Sequence, residues 1–334
     1  MVPFMGRRSE RRGQVTLGWL MAQRKRRRKI VRGWLKAQRK RRRKILRGLT
    51  KGRTDAALHR QLVGYAILGV QLGALTSSVR RRAWVAIATT AQPVRDRVRW
   101  LPVAPTRLRL AWQGHHFSYL VGDRSELDIL DEVFLRQHYD VCLLHRPTTI
   151  MDLGSNAGAT IHFFRARYPQ AAIIGLEPDP DTFSRLCRNV RGLPNVTVRQ
   201  EAVAARDGEA ILAPSRLSWA SALRSASGPG ISVSTRNLDS LMTELGLDSI
   251  DVLKIDVEGA EHEVLEGFTR MRDVATVIGE YHPAIHGRRF EELESAFDGF
   301  DLDLRRNRTG VRHFRATRRF SHGEPTRGVR DENR

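Results

Sequence analysis

The chain has 334 residues, with 58 Lys and Arg against 36 Asp and Glu, and a formal net charge of +22. A hydrophobic content of 41% suffices for the core of one large domain or two smaller ones. The two cysteines, Cys142 and Cys187, exclude a disulfide framework, show no close metal-ligand spacing, and point to a reducing compartment.

The charge is concentrated at the start, where residues 1–50 hold 19 Lys and Arg against one acid. The stretch Gly18–Arg32 returns as Gly33–Arg47, the copies differing only at Met21/Lys36 and Val31/Leu46. Runs such as Arg24–Lys29 repel themselves and build no core. With Trp19, Leu20, Trp34 and Leu35 beside them they suit contact with an anionic membrane surface or with nucleic acid, through residues 18–47. A disordered basic extension without a specific ligand is the plainer alternative. Residues 61–79 then carry no formal charge and approach the length of a membrane span, but glutamines, glycines and hydroxyl residues dilute them. They predict a helix that is packed or lies on a surface. No clean signal peptide is evident, so residues 51–100 are expected to link a cytoplasmic domain, peripheral to the inner face of the membrane, to the basic extension.

From Leu101 the pattern becomes that of a globular domain, expected over 101–318, with a disordered tail over 319–334. Leu108–Trp112 and His116–Val121 predict short strands, and Glu126–Tyr139 a helix. An alternation follows: strand Thr149–Leu153, helix Ala157–Arg167, strand Ala171–Leu176, helix Asp179–Val190, third strand Val196–Ala202. Residues 209–235 predict a strand pair forming a flap, with Trp219 and Ser221 closing over a ligand or merely covering the sheet edge. Helix Leu238–Leu245, strand Asp251–Asp256, helix Ala260–Phe268, strand Val274–Glu280 and helix Arg289–Phe297 continue the series. A closing hairpin of Phe300–Leu304 and Val311–Thr317 turns at Asn307–Gly310. Strands alternating with helices predict an α/β fold, a mostly parallel sheet with helices on both faces.

Two constellations carry chemistry. In Thr149-Ile-Met-Asp-Leu-Gly-Ser-Asn-Ala-Gly158 a strand runs into a turn with Gly154 and Gly158, then into a helix N-terminus. Glu177 ends the next strand, where a carboxylate can accept both hydroxyls of a ribose. The turn lacks both the Gly-Lys-Ser/Thr of a phosphate grip and the Gly-x-Gly opening suited to pyrophosphate, which favours an adenosine ligand with a compact polar tail. The second constellation is Leu253-Lys-Ile-Asp-Val-Glu-Gly-Ala-Glu261. Its three acids beside Lys254 suit a cation site, a proton-transfer site or a clamp for an ammonium group; an ion-pair network with helix capping is the structural alternative. Glu280 and His282 reach the same edge. His282 is a general base if it faces a substrate, and otherwise a hydrogen-bonded histidine ahead of Pro283.

Met151–Gly158, Glu177-Pro-Asp-Pro180 with Phe183 and Leu186, Asn189-Val, Leu238-Asp-Ser, Leu253–Glu261 and Glu280-Tyr-His-Pro283 together resemble the FkbM family of class I S-adenosylmethionine-dependent methyltransferases, across roughly 125–318. The resemblance implies a Rossmann-like, seven-stranded sheet with its last strand antiparallel. It implies that Asp152, Gly154, Asn156 and Gly158 line the methionine and ribose side of S-adenosyl-L-methionine, that Glu177 holds the ribose, and that Glu201 and Ala202 border the adenine. It places Asp256 between cofactor and substrate. The implied activity is O-methylation of a hydroxyl on a sugar, glycolipid or secondary metabolite, with Asp256, Glu258 and His282 as the candidates for base or cation binding. Whether a metal takes part stays open. The rival readings are a nicotinamide-dependent oxidoreductase, a non-enzymatic binder acting through the basic repeat, and RNA methylation recruited by that repeat.

Overall fold

The structure, a computed structural model, describes residues 52–76, 78–97, 105–141, 143, 145–212, 223–224, 230–282, 288–306 and 312–319. The basic repeat, Trp219 and Ser221, the Asn307–Gly310 turn and the tail beyond residue 319 lie outside the described residues. Residues 52–64 are helical and belong to one compact unit, and the described residues from Tyr65 onward belong to another.

In that second unit the helix α1 (Gly52–Gly73) continues to Gly73 and is followed by α2 (Val79–Arg97). Gly69 lets the two helices meet: a Cβ there would sit 2.8 Å from the Cα of Ala86. Leu72, Leu75, Val85 and Ala88 are buried in the same core as the sheet. No helix among the described residues is long and apolar enough to cross a membrane; the uncharged run of 61–79 is helical as far as Gly73, where Gly69 and Leu72 pack inward, and then turns. Strands β1 (Thr106–Trp112) and β2 (His115–Val121) form a separate antiparallel hairpin in full register.

The main sheet is built from β3 (Thr149–Leu153), β4 (Ala172–Leu176), β5 (Val196–Arg199), β10 (Ile250–Ile255), β11 (Val274–Tyr281), β12 (Phe300–Arg306) and β13 (Arg312–Arg318). Its order is β12-β13-β11-β10-β3-β4-β5. The five strands from β11 to β5 run parallel, and β13 enters antiparallel between β11 and β12. Successive residues of the central strands feed opposite cores. Ile150, Ile173 and Val252 pack with α4 (Ala159–Arg167), β1 and β2, whereas Met151, Ile174 and Leu253 pack with α6 (Leu238–Glu244) and α7 (Glu261–Gly267). Strands apolar on both sides are what a parallel sheet covered by helices requires.

Several expected boundaries shift, each for a local reason. The third strand stops at Arg199, because β4 ends at Leu176 and Glu177 takes the last ladder bond, donating its N–H to Arg199 O at 3.1 Å. Ala202–Val203, now β6, pairs instead with β9 (Ile231–Arg236), which also pairs with β7 (Gly208–Leu212). The expected flap pair is thus part of a second, four-stranded sheet, β6-β9-β7-β8, with β8 at Leu223–Arg224. The helix expected over Glu126–Tyr139 is α3 (Ser125–Leu130) widening into one π-helical stretch, Asp131–Leu135, closed by Arg136 N–H donating to Asp131 O at 2.9 Å. Phe290–Phe297 is a 3-10 helix rather than an α-helix, burying Phe290, Leu293 and Phe297. Between β4 and β5 runs α5 (Pro180–Asn189), N-capped by Asp179, whose carboxylate accepts from Thr182 N–H at 2.8 Å.

The turn after β3 fixes the geometry of everything that follows. Gly154 has φ +78°, and a Cβ there would lie 1.8 Å from the carbonyl oxygen of Asp256. Gly192 has almost the same φ, +81°, with nothing within 4 Å of its Cβ position. Gly192→Ala therefore costs about 1 kcal/mol, the strain of left-handed backbone alone. Gly154→Ala should cost several times as much in urea denaturation, because β3 and β10 must separate; equal losses would contradict this account.

Candidate functional site

The site lies at the carboxyl ends of β3, β4, β10 and β11. Parallel strands deliver their C-terminal residues to one edge, and the loops that leave them carry the polar groups. At the centre, Lys254 and Asp152 face each other in register on β10 and β3. Both are buried, with Lys254 Nζ 2.9 Å from Asp152 Oδ1. The ammonium also donates to Gly154 O at 2.8 Å, and Thr160 hydrogen-bonds Asp152 Oδ2 from the first turn of α4. Burial opposes the charge on Lys254, but Asp152 and then Asp256 outweigh it and keep the amine protonated.

Glu177 is buried at the end of β4. Its Oε2 accepts from Asn156 N–H at 3.0 Å and its Oε1 from Asp179 N–H at 2.9 Å. Each oxygen keeps a second lone-pair direction. Burial pushes the carboxyl up to about 8 despite these bonds. Such a group gains from two further hydroxyl donors, which is what a ribose diol offers. Asn156 stands in left-handed backbone with φ +47°, a conformation asparagine tolerates, and its N–H is thereby aimed at Glu177. Gly158, φ +93°, serves packing: a Cβ there would press on Leu186 Cδ1 at 2.8 Å. Asn189 clips the same loop, donating to Ala157 O at 2.8 Å while accepting from Leu120 N–H at 2.7 Å. Glu201 follows β5 and chelates Arg199 at 2.6 and 3.0 Å, and Ala202 is buried at the start of β6.

The other half of the edge is acidic. Asp256, Glu258, Glu261 and Glu280 surround His282. Glu258 holds left-handed backbone at φ +49° before Gly259 at φ +100°, a strain that persists only where the surroundings enforce it. His282 Nδ1 pairs with Glu261 Oε1 at 2.7 Å, and its Nε2 lies 3.5 Å from Glu258 Oε2 and 4.0 Å from Asp256 Oδ1. Burial disfavours charge on the imidazole, but the Glu261 hydrogen bond and the carboxylates of Glu258 and Asp256 prevail and push it up to about 10. The carboxylates around His282 thus favour its charged form, in which it holds the acids together. Burial raises Glu258 and Glu280 well above the carboxylate range, with Asp256 adding to both. Asp256 Oδ2 accepts from Tyr139 Oη at 3.1 Å, while its Oδ1 is buried without a hydrogen bond.

Tyr139 also reaches Glu280 Oε1, again at 3.1 Å. It is the residue that sequence reasoning missed most plainly, lying 117 positions from Asp256 in a segment read as the end of a helix. Beside it opens a polar cavity of about 630 Å³, lined among others by Glu132, Arg136, His138, Tyr139, Arg305 and His313. Alternation along the last strand could have placed His313 there, since it stands opposite Glu280 in register.

A glycine turn, a diol-ready carboxylate at the next strand end and an acidic edge on this strand order are what the resemblance to class I S-adenosylmethionine-dependent methyltransferases implies. The acidic edge suits S-adenosylmethionine, since half-buried Asp256, Glu258 and Glu280 stand where a ligand's sulfonium or ammonium would find counter-charge. Residues 152–306 match the family described as "Methyltransferase FkbM domain". The 2-O-methyltransferase NoeI of Sinorhizobium fredii is 33% identical over 147 residues, 38% of this chain and 60% of that protein. Methyltransferase sdnD of Sordaria araneosa is 28% identical over 237 residues, 59% of this chain and 90% of that protein. The hexuronic acid methyltransferase AglP of Haloferax volcanii is 28% identical over 148 residues, 44% of this chain and 61% of that protein. The chain thus spans about three fifths of the length of NoeI and of AglP.

Two outcomes follow from this geometry. Lys254→Met leaves Asp152 buried without its counter-ion and should cost about 3–5 kcal/mol in urea denaturation; a cost under about 1 kcal/mol would show the pair to be dispensable. For Glu177, the folded carboxyl is raised from 4.5 to about 8, so its ionised form penalises the native state increasingly as pH rises through that window. Between pH 5 and pH 8 the stability of ligand-free Glu177→Gln should gain on wild type, and a gap independent of pH would contradict the raised value.

Proposed function

We propose that the chain is an S-adenosylmethionine-dependent O-methyltransferase acting on a hydroxyl of a saccharide or a related polyhydroxylated small molecule. The observation that carries this reading is the FkbM domain match, joined to Asp256, whose Oδ1 makes no hydrogen bond and whose Oδ2 meets Tyr139 in the wall of a polar cavity. Two relatives are named for 2-O-methylation and for hexuronic acid methylation, and Arg136, Arg305 and Arg315 among the cavity residues suit a hydroxylated, acid-bearing acceptor.

S-adenosylmethionine supplies a methyl group already activated on sulfonium, leaving S-adenosylhomocysteine. The chain's task is then to align the acceptor oxygen and remove its proton. Glu177 would hold the ribose hydroxyls, with Gly154, Asn156 and Gly158 shaping the loop and Asp152 fixed behind it. Glu201 and Ala202 would border the adenine. Asp256 accepts the acceptor's proton through Oδ1, while Tyr139 orients its other oxygen. Glu258 and charged His282 hold the acidic cluster around it.

Incubation with methyl-labelled S-adenosylmethionine and a panel of hydroxylated saccharides, glycolipids and phenols should label a saccharide oxygen. Labelling of phenols or nitrogen alone would overturn the substrate class. Asp256→Asn should lower turnover by about 10²–10⁴-fold with cofactor affinity within threefold of wild type, and Glu177→Ala should instead weaken calorimetric binding of S-adenosylmethionine at least tenfold.

We also propose a peripheral membrane location at the inner face of a cytoplasmic membrane. Ile67, Val70, Trp84 and Ile87 are large apolar side chains left exposed on α1 and α2, beside exposed Arg80, Arg81 and Arg82. Apolar and basic groups on adjacent turns suit an anionic lipid surface, and residues 18–47 would add to the attraction. The full chain should co-sediment with phosphatidylserine-containing vesicles and lose most of that binding in Trp84→Glu/Ile87→Glu. Equal binding by the double variant, or binding to RNA alone, would contradict it.

A further inference from the structure

A second constellation lies on the far side of Tyr139 from Asp256. His138 follows the π-helical stretch, Glu280 is near the end of β11, and His313 stands opposite Glu280 on β13. One donor atom from each lies within 4.8 Å of the other two. His313 Nδ1 is 3.6 Å from Glu280 Oε1, and the two imidazoles meet edge to face with centroids 4.5 Å apart. His138 Nδ1 is buried and has no hydrogen-bond partner. An imidazole nitrogen left bare in a polar site costs free energy that a ligand can return. Glu280 and His313 stand on strands that hold them, since antiparallel pairing fixes β11 against β13 and the Tyr139 hydroxyl orients Glu280, whereas His138 lies in the turn after the π-helical stretch.

We propose that His138, Glu280 and His313 form a binding site for a divalent first-row transition metal, with its open coordination positions facing the adjoining cavity. Two nitrogens and one carboxylate oxygen suit zinc, cobalt, iron or manganese, whereas magnesium and calcium prefer all-oxygen sets. Metal–ligand bonds of about 2.0–2.2 Å bring donor atoms to within roughly 3.0–3.5 Å of one another, so the 3.6 Å His313–Glu280 spacing needs little change and His138 swings inward. Three protein ligands leave room for oxygen donors from the cavity side, where His138 and His313 form part of the wall. Water fills these positions at rest, and a hydroxyl of the acceptor can replace it. The Tyr139 hydroxyl then joins the two sites, bridging ligand Glu280 and Asp256. The acceptor role rests on the methyltransferase reading above; the metal site itself does not.

The neighbouring set Asp256, Glu258 and His282 also brings three donor atoms within 4.8 Å of one another. There His282 already pairs with Glu261 and Glu258, so its imidazole is engaged. His138 has no such engagement, and this decides between the two sets.

The test is titration of the chelator-treated full-length chain with Co²⁺, read by visible absorption. One equivalent should bind and develop d–d bands characteristic of mixed nitrogen and oxygen ligands. His138→Ala and His313→Ala, whose folding is checked by circular dichroism, should each weaken binding at least tenfold, while Glu258→Gln should not. No cobalt spectrum in the wild-type chain would overturn the site, as would unchanged binding in the His138→Ala/His313→Ala double variant. Calorimetric binding of S-adenosylmethionine to the same metal-free preparation separates the two claims. Cofactor binding without metal binding refutes the site alone, and metal binding without cofactor binding refutes the methyltransferase reading alone.

Discussion

The buried ion pair between Lys254 and Asp152 joins the two central strands at the edge where the chemistry is assembled. A pair so fully withdrawn from water gains little net stability over an apolar substitute, but it tolerates no loss of one partner. What it secures here is position. The ammonium reaches Asp152 on one side and the carbonyl of Gly154 on the other, so the glycine turn is tied to the strand that delivers Asp256. The close approach of Gly154 to the Asp256 carbonyl is the steric counterpart of the same link. The glycine turn and the strand end that carries Asp256 are thereby one rigid object, and the methyl transfer proposed above would need that rigidity because it depends on alignment more than on chemical activation.

Around this pair the edge divides by charge. On the β3–β4 side, backbone N–H groups converge on a single carboxylate, Glu177, whose remaining lone pairs await hydroxyl donors. On the β10–β11 side the carboxylates outnumber their cations, and burial lifts Glu258, Glu280 and Glu132 toward neutrality. An apo site that is short of positive charge is matched by a ligand that brings it. A sulfonium would do so near Asp256, and a divalent ion at Glu280. The strained backbone of Glu258 and the π-helical stretch before Tyr139 lie beside these groups, where local irregularity is held in place by a well-packed sheet.

The sequence made the sheet legible because its signals are local. Ile150, Ile173 and Val252 alternate with partners bound for the other core, glycines mark the turns, and Glu177 ends its strand as the pattern required. What was not legible depended on contacts between distant positions. Nothing near Tyr139 announces Asp256, and nothing near His138 announces His313, because these residues meet only after the closing hairpin inserts β13 beside β11. The third strand is expected three residues too long because nothing in Arg199 to Ala202 marks the point where β4 ceases to offer a partner. His282 is a candidate base on residue type alone; the carboxylates that surround it, gathered from the segment after β10 and from β11, favour its charged form.

The most direct test of the central claim is a structure of the chain with S-adenosylhomocysteine bound. The account predicts both ribose hydroxyls on the Glu177 carboxylate, adenine beside Ala202, and the thioether sulfur facing Asp256 across the Gly154 turn. A ligand bound with its ribose away from Glu177, or its sulfur turned from Asp256, would contradict it.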